Sequence, residues 1–287
     1  MKAIFKHEVR AYCHALSAYL FCAFLLLFIG VGSMLYNIEA AVASFEYVLQ
    51  FVSIGLTVII PVLTMRSFAE EKRQKTDQLL YSLPLTTWEI VAGKYAAMLI
   101  VFLAPLIVTA AYPLIFSQYG EVYLLTAYGS LFAFFLMGAA LIAVGMFISS
   151  LTDSQGFAAG ISIALFLFNY YSVTLAENIS ASYFGAALGV GILALALGAV
   201  VYHLTKSLTI GYGAGMLLLI AAIITVFVDA SALARLLPSA MEALSLFGRF
   251  SSFVNGVFDM TSVVFYLSVI AFFLLLTVQA LEKRRYN

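Results

Sequence analysis

The 287-residue sequence is poor in charge and in cysteine. Asp, Glu, Lys and Arg together make up 10% of the residues, whereas 64% are hydrophobic. Soluble domains carry roughly 25% charged residues, so the composition excludes the soluble globular class. The two cysteines, Cys13 and Cys22, imply neither a disulfide nor a metal framework. The composition therefore predicts a polytopic membrane protein.

Enzyme motifs are missing as well. The sequence contains no phosphate-binding GxxxxGKS/T loop, no HExxH zinc helix and no GxSxG nucleophile elbow. A lipid-modifying intramembrane enzyme is disfavoured, because no His, Asp, Glu or Cys cluster lines one face at either membrane interface. We predict a non-catalytic chain with no catalytic residue and no metal site.

Eight apolar stretches are each long enough to cross a hydrocarbon core of roughly 30 Å as a helix. As drawn, none contains Asp, Glu, Lys or Arg, which mark proton relays and voltage sensors. A secondary transporter or a voltage-gated channel is therefore disfavoured. The stretches are Leu16–Tyr36, Tyr47–Met65, Tyr95–Phe116, Tyr123–Ser149, Gly156–Ala176, Tyr183–Thr205, Ile210–Val228 and Ser262–Leu281.

Lys and Arg are distributed unevenly between the loops. With eight spans both termini share one side, and that side holds twelve of the fourteen Lys and Arg residues. Only Arg235 and Arg249 face the other side. Since basic residues gather in cytoplasmic loops, we predict a multi-pass protein of the plasma membrane with both termini cytoplasmic.

Polar and small residues inside the spans are interpreted as contacts between helices. Hydrogen bonds between helices are preferred over substrate contacts for Asn169, Gln50, Gln279 and His203. Packing within one subunit is preferred over a dimer seam for three glycine pairs, Gly156 with Gly160, Gly185 with Gly189, and Gly211 with Gly215.

Two amphipathic segments accompany the spans in what is predicted to be a single membrane domain, 1–287. Residues 1–14 mix basic and apolar side chains and are predicted to form a helix along the inner interface. Residues 229–261 carry apolar side chains at intervals of three or four, which predicts an amphipathic helix lying on or dipping into the bundle.

The densest charge lies in residues 66–89, between the second and third spans. A short surface helix is predicted between Phe68 and Tyr81, and Pro84 ends it. Thr86 and Glu89 have the spacing of a capping box, so the third span should begin near Thr87. The alternative is an idle connecting loop, although this segment carries leucines that a simple link does not need.

The run EEKRQKTDQLLYSLPLTTWEIVAGKYAA resembles the cytoplasmic loop of ATP-binding cassette (ABC) exporter permeases of the type 2 class. That loop has an acidic pair, then Gly-Thr, Leu-Leu, Ser-Leu-Pro and Gly-Lys. Here Lys75 replaces the usual Gly and Asp77 the usual Glu. We expect Lys75 to favour helix where Gly would loosen it.

The carboxyl end, FGRFSSFVNGVFDMTSVVFYLSVIAFFLLLTVQALEKRRY, is similar to that of a narrower subgroup, the gliding-motility-associated and copper-enzyme-maturation permeases. The matching positions are Phe250, Phe253, Gly256, Asp259, Tyr266 and Ser268.

The resemblance implies a permease subunit that couples ATP hydrolysis in a separate chain to export of an unidentified amphipathic substrate. Its implied partners are an ABC ATPase in two copies and a second permease, identical or homologous. No cofactor is expected on this chain, because ATP and Mg would belong to the ATPase. The implied ATPase-coupling residues are Glu70, Glu71, Arg73, Thr76, Asp77, Leu79 and Leu80.

The resemblance also implies an outer gate in 229–261, with Arg249, Phe250, Phe253 and Asp259 as its residues. Phe250 and Phe253 would help seal it, and Arg249 could pair with Asp259 or Glu242. An interfacial cap without a role in transport is the alternative. For the whole chain, the alternative is a membrane anchor that transmits force for a cytoplasmic ATPase without carrying a substrate.

Overall fold

The computed structural model describes residues 2–76, 86–180 and 239–285. These residues contain helices and no strand, which confirms the predicted all-α polytopic class. Residues 239–244 are also helical. The other helices are α1 Lys2–His14, α2 Leu16–Ser33 with a π-helical extension Met34–Glu39, α3 Glu46–Thr64, α4 Ala69–Gln74, α5 Thr87–Thr109, α6 Tyr112–Phe116, α7 Leu124–Leu151, α8 Gln155–Ser180, α9 Leu246–Val254 and α10 Met260–Arg285.

Within the described ranges, six helical stretches are long and apolar enough to cross a membrane. They coincide with six of the eight predicted spans. The other two, Tyr183–Thr205 and Ile210–Val228, lie outside the described residues. The six stretches are Leu16–Glu39, Glu46–Gln74, Thr87–Phe116, Leu124–Leu151, Gln155–Leu175 and Met260–Arg284.

The third span begins earlier than its apolar run. Its helix starts at Thr87, where Thr86 and Glu89 form the predicted capping box in both directions. The helix therefore includes Lys94, which the apolar run from Tyr95 onward left out. The spans as drawn contain no Asp, Glu, Lys or Arg, whereas the helix of the third span includes Glu89 and Lys94, because the cap rather than the apolar run sets its start.

The chain divides into two compact units, residues 1–168 with 249–287 and residues 169–248. In the first unit α7 is the central helix and packs against α3, α5 and α10. Small residues permit this close packing, since a Cβ at Gly138 would overlap the Phe102 ring and one at Gly145 would overlap the Thr64 side chain. Accordingly, 78% of an 18-residue apolar stretch of α7 is buried.

Aromatic rings join four helices of the first unit. Phe102 of α5 lies 6.0 Å from Phe21 of α2 and 6.2 Å from Phe134 of α7, measured between ring centroids. Phe134 in turn lies 5.8 Å from Phe250 of α9. Edge-to-face and tilted pairs at these distances are favourable, and the rings form a continuous core across the unit.

In the second unit, Asn169 binds the backbone beside a break in the helical path. Its side-chain nitrogen donates to the carbonyl of Leu244 at 3.2 Å, and its side-chain oxygen accepts from the Leu246 amide at 3.0 Å. The break at Ser245 leaves backbone groups without helical partners, and Asn169 satisfies two of them. This confirms the predicted contact between helical segments for Asn169.

The remaining predictions for polar residues and glycine pairs within the spans have other outcomes. Gln50 and Gln279 are exposed. The packing interpretation is wrong for Gly156 and Gly160, which are exposed and would have no atom within 4 Å of an added Cβ. His203 and the other two glycine pairs lie outside the described residues.

Candidate functional site

The predicted coupling segment lies at the end of the first unit where α1 crosses α5. Gly93 allows this crossing, because a Cβ there would lie 3.0 Å from Ile4 Cγ2 and 3.5 Å from the Phe5 backbone nitrogen. An alanine there would require Ile4 to shift by a few tenths of an ångström. The next residue, Lys94, consequently extends toward both α1 and α4.

Lys94 forms ion pairs with two carboxylates from different elements. Its Nζ lies 2.8 Å from Glu8 Oε1 of α1 and 2.6 Å from Glu71 Oε1 of α4. The Lys94 side chain is 3% exposed, against 13% for Glu8 and 22% for Glu71. Short charge-assisted hydrogen bonds of this kind are the strong ones in proteins. One buried ammonium thus joins α1, α4 and α5.

Two aromatic residues border this ionic cluster. The Phe68 ring centroid lies 5.5 Å from Lys94 Nζ, within the range of a cation–π contact. Tyr12 is buried, and burial first and the Glu8 and Glu71 carboxylates second hold the pKa of its phenol above the usual range. The phenol is therefore neutral at physiological pH and contributes no charge to the cluster.

A groove of about 780 Å³ opens between α1 and the residues around α4. Glu8, Glu71 and Lys94 lie along it together with Tyr12 and Gln74. The cluster therefore borders solvent on one side, which lowers the desolvation cost of its carboxylates. The described residues contain no group of three or more His, Cys, Asp or Glu arranged to hold a metal ion.

Ser149, near the end of α7, holds the amino end of α4. Its hydroxyl accepts from the amides of Phe68 and Ala69 at 3.2 Å each and donates to the Met65 carbonyl at 3.1 Å. The first amides of a helix lack intrahelical partners, and no side chain of α4's own N-cap residue supplies one. Ser149 supplies it from another span.

Lys72 and Arg66 hold the same segment further. Lys72 is buried, and its Nζ donates to the carbonyl of Ser150. Arg66 Nε lies 3.2 Å from Glu70 Oε2, and both side chains are about one-third exposed. Such a partly exposed pair contributes little to stability, whereas the buried Lys72 contact fixes α4 against the end of α7.

The helix α4 ends at Gln74, and the next residue, Lys75, caps it in the left-handed backbone conformation φ 57°, ψ 22°. The amides of Lys75 and Thr76 close the helix onto the carbonyls of Lys72 and Glu71. The expectation that Lys75 favours helix is therefore wrong, because glycine is the residue that adopts this conformation without strain. The usual Gly at this position has a direct physical explanation.

The structure separates the predicted coupling residues by orientation. Arg73 is exposed, Glu70 is about one-third exposed beside Arg66, and Glu71 turns inward to Lys94. Thr76 Oγ1 donates to the Glu71 carbonyl at 3.3 Å and so helps to close α4. Asp77, Leu79 and Leu80 lie outside the described residues.

The predicted gate residues lie toward the other end of α7. Phe250 and Phe253 are each 2% exposed, and the Ser130 hydroxyl donates to the Phe253 carbonyl at 2.9 Å. The guanidinium of Arg249 lies 4.1 Å from the Phe265 ring centroid. Phe250 and Phe253 form part of the packed core of the first unit, whereas Arg249 is partly exposed.

Asp259 caps α10 instead of pairing with Arg249. Its carboxylate accepts from the Thr261 amide at 2.9 Å and from the Ser262 hydroxyl at 2.6 Å. The Ser262 hydroxyl first and the Thr261 amide second hold the pKa of Asp259 below its usual value. Carboxylates at helix amino ends gain from both hydrogen bonds and the helix dipole.

Sequence reasoning missed the residues that receive the coupling segment. Ser149 and Glu8 are ordinary polar residues flanking apolar runs, and nothing in their spacing singles them out. The Gly93–Lys94 pair was a usable signal, because a glycine followed by a lysine beside an apolar span indicates a close helix crossing next to a charge. The contact between Lys94 and Glu71 could be found only from the structure, because the two residues are 23 positions apart.

In the part of the chain that the structure describes, six helices are long and apolar enough to span a membrane, and the charged residues 66–76 follow the second of them, which defines a multi-pass membrane protein. The family model described as ABC-2 family transporter protein matches residues 33–180, more than half of the chain. The chain belongs to this family and is a membrane permease subunit of an ABC transporter, which works with an ABC ATPase. No curated protein and no solved structure matches it.

Proposed function

We propose that this permease couples ATP hydrolysis in a separate ABC ATPase to the export of an amphipathic substrate. In this proposal residues 66–89 dock on the ATPase. The observation that carries it is the Lys94 cluster, which ties the docking segment to α1 and α5 through contacts of 2.6 and 2.8 Å. A displacement of α4 is thereby shared with two other helices.

A second set of contacts supports transmission into the core of the bundle. Ser149 holds the amino end of α4, and Lys72 binds the carbonyl of Ser150. Both partners lie at the end of α7, which packs against α3, α5 and α10. An ATPase shifts a conformational equilibrium by its differential interaction with two states, and through Ser149 and Ser150 α4 is connected to the central helix of the first unit.

The orientation of the side chains divides the coupling residues into two roles. Glu70 and Arg73 are accessible and would contact the ATPase. Asp77, Leu79 and Leu80, which lie outside the described residues, are assigned the same role because they belong to the same loop motif. Glu71 and Thr76 contact their own chain and would position α4. Substitutions in the first group should weaken association, whereas those in the second should weaken coupling with association retained.

The proposed assembly has two ATPase subunits, which bind ATP and Mg, and a second permease that is identical or homologous. Both termini would be cytoplasmic in the plasma membrane, as the distribution of basic residues favours. The narrower assignment to gliding-motility-associated or copper-enzyme-maturation permeases stays a prediction, because its carboxyl-end motif lies outside the matched residues 33–180.

The outer gate is part of the same proposal. Phe250 and Phe253 pack against α7 with 2% exposure each, which suits the closed state of a gate. The cap formed by Asp259 fixes the start of α10, and Arg249 rests on Phe265 of that helix. Opening would separate the Phe250 ring from Phe134 while α10 keeps its own cap.

Docking is tested by co-purifying the permease with its ABC ATPase after Leu79→Asp plus Leu80→Asp. We expect association and permease-dependent ATPase activity to be lost. Leu151→Asp is the matched control, because Leu151 is 61% exposed at the same end of the bundle and lies outside the coupling segment. Unchanged association in the double variant would overturn the docking role.

Transport is tested separately in proteoliposomes that contain the intact complex. ATP-dependent movement of lipid or amphipathic dyes across the bilayer would support export. ATPase activity that responds to a protein partner on the opposite side, with no solute moved, would instead establish a force-transmitting anchor.

A further inference from the structure

The helical path of the second unit is interrupted at Ser245, between the segment 239–244 and α9. The helix α9 begins at the next residue, Leu246. Ser245 is 1% exposed, and its hydroxyl accepts from the Gly248 amide at 2.8 Å. A serine that accepts from the third amide of a helix is an N-cap. The local sequence therefore starts α9 at Leu246.

This interruption lies at membrane depth. It is bound by Asn169 of α8, which is the fifteenth residue of the spanning stretch Gln155–Leu175. At 1.5 Å per residue, Asn169 lies about 21 Å from the start of a stretch that crosses a core roughly 30 Å thick. The hydrocarbon core offers no water, so non-helical backbone at this depth needs partners from the protein itself.

Asn169 supplies a donor and an acceptor from one side chain. Its amide nitrogen donates to the Leu244 carbonyl at 3.2 Å, before the interruption. Its amide oxygen accepts from the Leu246 amide at 3.0 Å, after the interruption. A side-chain amide carries both groups on one planar unit. The backbone on both sides of Ser245 is therefore held at one point of α8, which fixes the orientation of the start of α9.

The apolar contacts beside the interruption are less restrictive. The Phe247 ring lies edge-to-face against Tyr170 with centroids 5.2 Å apart, and a Cβ at Gly248 would lie 3.6 Å from Val173 Cγ2. Apolar burial is non-directional and tolerates sliding, whereas hydrogen bonds weaken steeply when their geometry changes. The two hydrogen bonds of Asn169 therefore define one position of α9 on α8.

We propose that Asn169 is a positioning residue for transport. Its two hydrogen bonds hold the start of α9 in the closed position of the gate, and they break when the gate opens. Ser245 is the hinge, because its cap keeps α9 helical as the helix moves. This inference rests on the proposed outer gate, since the gate residue Phe250 lies one helical turn beyond Leu246 on the same helix.

Hydrogen exchange of the full-length permease in nanodiscs tests the contact without the ATPase. In Asn169→Leu exchange at the Leu246 amide should rise about eightfold, which is the effect of two interhelical hydrogen bonds of the strength usual in membranes. Asn178→Leu is the matched control, because Asn178 donates to the Thr174 carbonyl within α8 itself. Unchanged exchange at Leu246 in Asn169→Leu would overturn the proposal.

A second variant separates the hinge from the residue that holds it. Ser245→Ala removes the cap and leaves the Asn169 side chain in place, so exchange should rise at Gly248 more than at Leu246. If Asn169→Leu does not fold, Asn169→Gln keeps the amide on a side chain longer by one methylene and should give a smaller rise at Leu246. Equal exchange in Asn169→Gln and wild type would count against the assigned role.

Movement is measured in the complete complex with the ABC ATPase. A benzophenone amino acid at position 247 should crosslink to α8 without nucleotide, because Phe247 contacts Tyr170. Trapping the ATPase with ATP and vanadate should lower the crosslink yield several-fold. A contact with a purely structural role would give the same yield in both states. In Asn169→Leu the yield should already be low without nucleotide, whereas Asn178→Leu should behave as wild type.

Permease-dependent ATPase activity distinguishes the two ways in which this inference can fail. If that activity is present and the crosslink yield is the same in both nucleotide states, the hinge is wrong and the coupling function stands. If the ATPase activity does not depend on the permease, the proposed function is wrong, and the role of Asn169 in gating is wrong with it.

Discussion

The two ends of the first unit are held together by different chemistry. At the charged end, Lys94 joins three elements and Ser149 binds the amino end of α4. At the opposite end, Phe250 packs on Phe134, and Asp259 caps its own helix without bridging to another. Ion pairs and hydrogen bonds require fixed geometry, whereas apolar burial is non-directional. The charged end is therefore suited to move as one body, and the opposite end to rearrange.

The balance of energies supports this contrast. A buried ion pair gains little over an apolar replacement, because desolvation offsets the Coulomb attraction. The Lys94 cluster is thus a poor way to stabilise a bundle that already buries many aromatic rings. Its distinctive effect is geometric, because it fixes α1, α4 and α5 relative to each other. We expect substitutions there to affect coupling more than packing substitutions of equal cost.

The largest expected effect comes from removing the ammonium. Lys94→Met should lower the free energy of unfolding in detergent by about 3–5 kcal/mol, because it leaves Glu8 and Glu71 side by side without a buried cation. Chemical denaturation measures this loss. Adding Glu8→Gln and Glu71→Gln should restore most of it. A single-variant loss below about 1 kcal/mol, the range of exposed pairs, would show that the cluster is effectively solvated.

Ser149→Ala should have the next largest effect. It removes the acceptor for the Phe68 and Ala69 amides, and an unsatisfied buried group costs about 1–3 kcal/mol. Local hydrogen exchange at these two amides should increase more than exchange within α7. Ser117→Ala is the control, since the exposed Ser117 hydroxyl donates to the Leu114 carbonyl three residues earlier in the chain. Unchanged protection of both amides would contradict the assigned role of Ser149.

Lys75→Gly should stabilise the charged end slightly. Lys75 has φ 57°, and relieving a left-handed conformation at a non-glycine residue is worth about 1 kcal/mol before the entropy of glycine is counted. The unfolding midpoint should rise by a small amount or stay unchanged. Ala41, which follows the π-helical extension of α2 and has φ 51°, gives a comparison through Ala41→Gly. Destabilisation by Lys75→Gly would show that the helix gains from lysine here.

Features that depend on residues close in sequence could be predicted from the sequence. Features that depend on contacts between distant residues could not. The Thr86–Glu89 cap was predictable because both partners lie within one turn. The left-handed Lys75 was not, since the motif that ends α4 depends on backbone closure and the observed residue favours helix. Glu71 was expected to face the ATPase, and only the crossing of α1 over α5 turns it to Lys94. Arg249 was expected to pair with Asp259 or Glu242, whereas the Asp259 carboxylate binds Thr261 and Ser262 of its own helix.

The smallest predicted effect is a pH dependence at the end opposite the charged cluster. The folded pKa of Asp259 lies below its usual value because of the Ser262 hydroxyl and the Thr261 amide. The unfolded pKa is about 3.9, so the stabilisation is present above about pH 4 and is lost as the pH falls through the folded pKa. Asp259→Asn retains a capping oxygen that does not titrate. The unfolding temperatures of wild type and Asp259→Asn should therefore converge at low pH.

Asp153 offers the comparison at the charged end. Its carboxylate lies 2.8 Å from Arg284, and the hydrogen bond from Arg284 lowers its pKa, so its contribution has the same sign with pH. This pair is exposed, and salt should weaken it. The Asp259 cap consists of hydrogen bonds to neighbouring residues and should respond less to salt. If 1 M NaCl removed the pH dependence of both carboxylates equally, the Asp259 effect would come from long-range charge, and the contrast between a local cap and a cross-linking ion pair would fail.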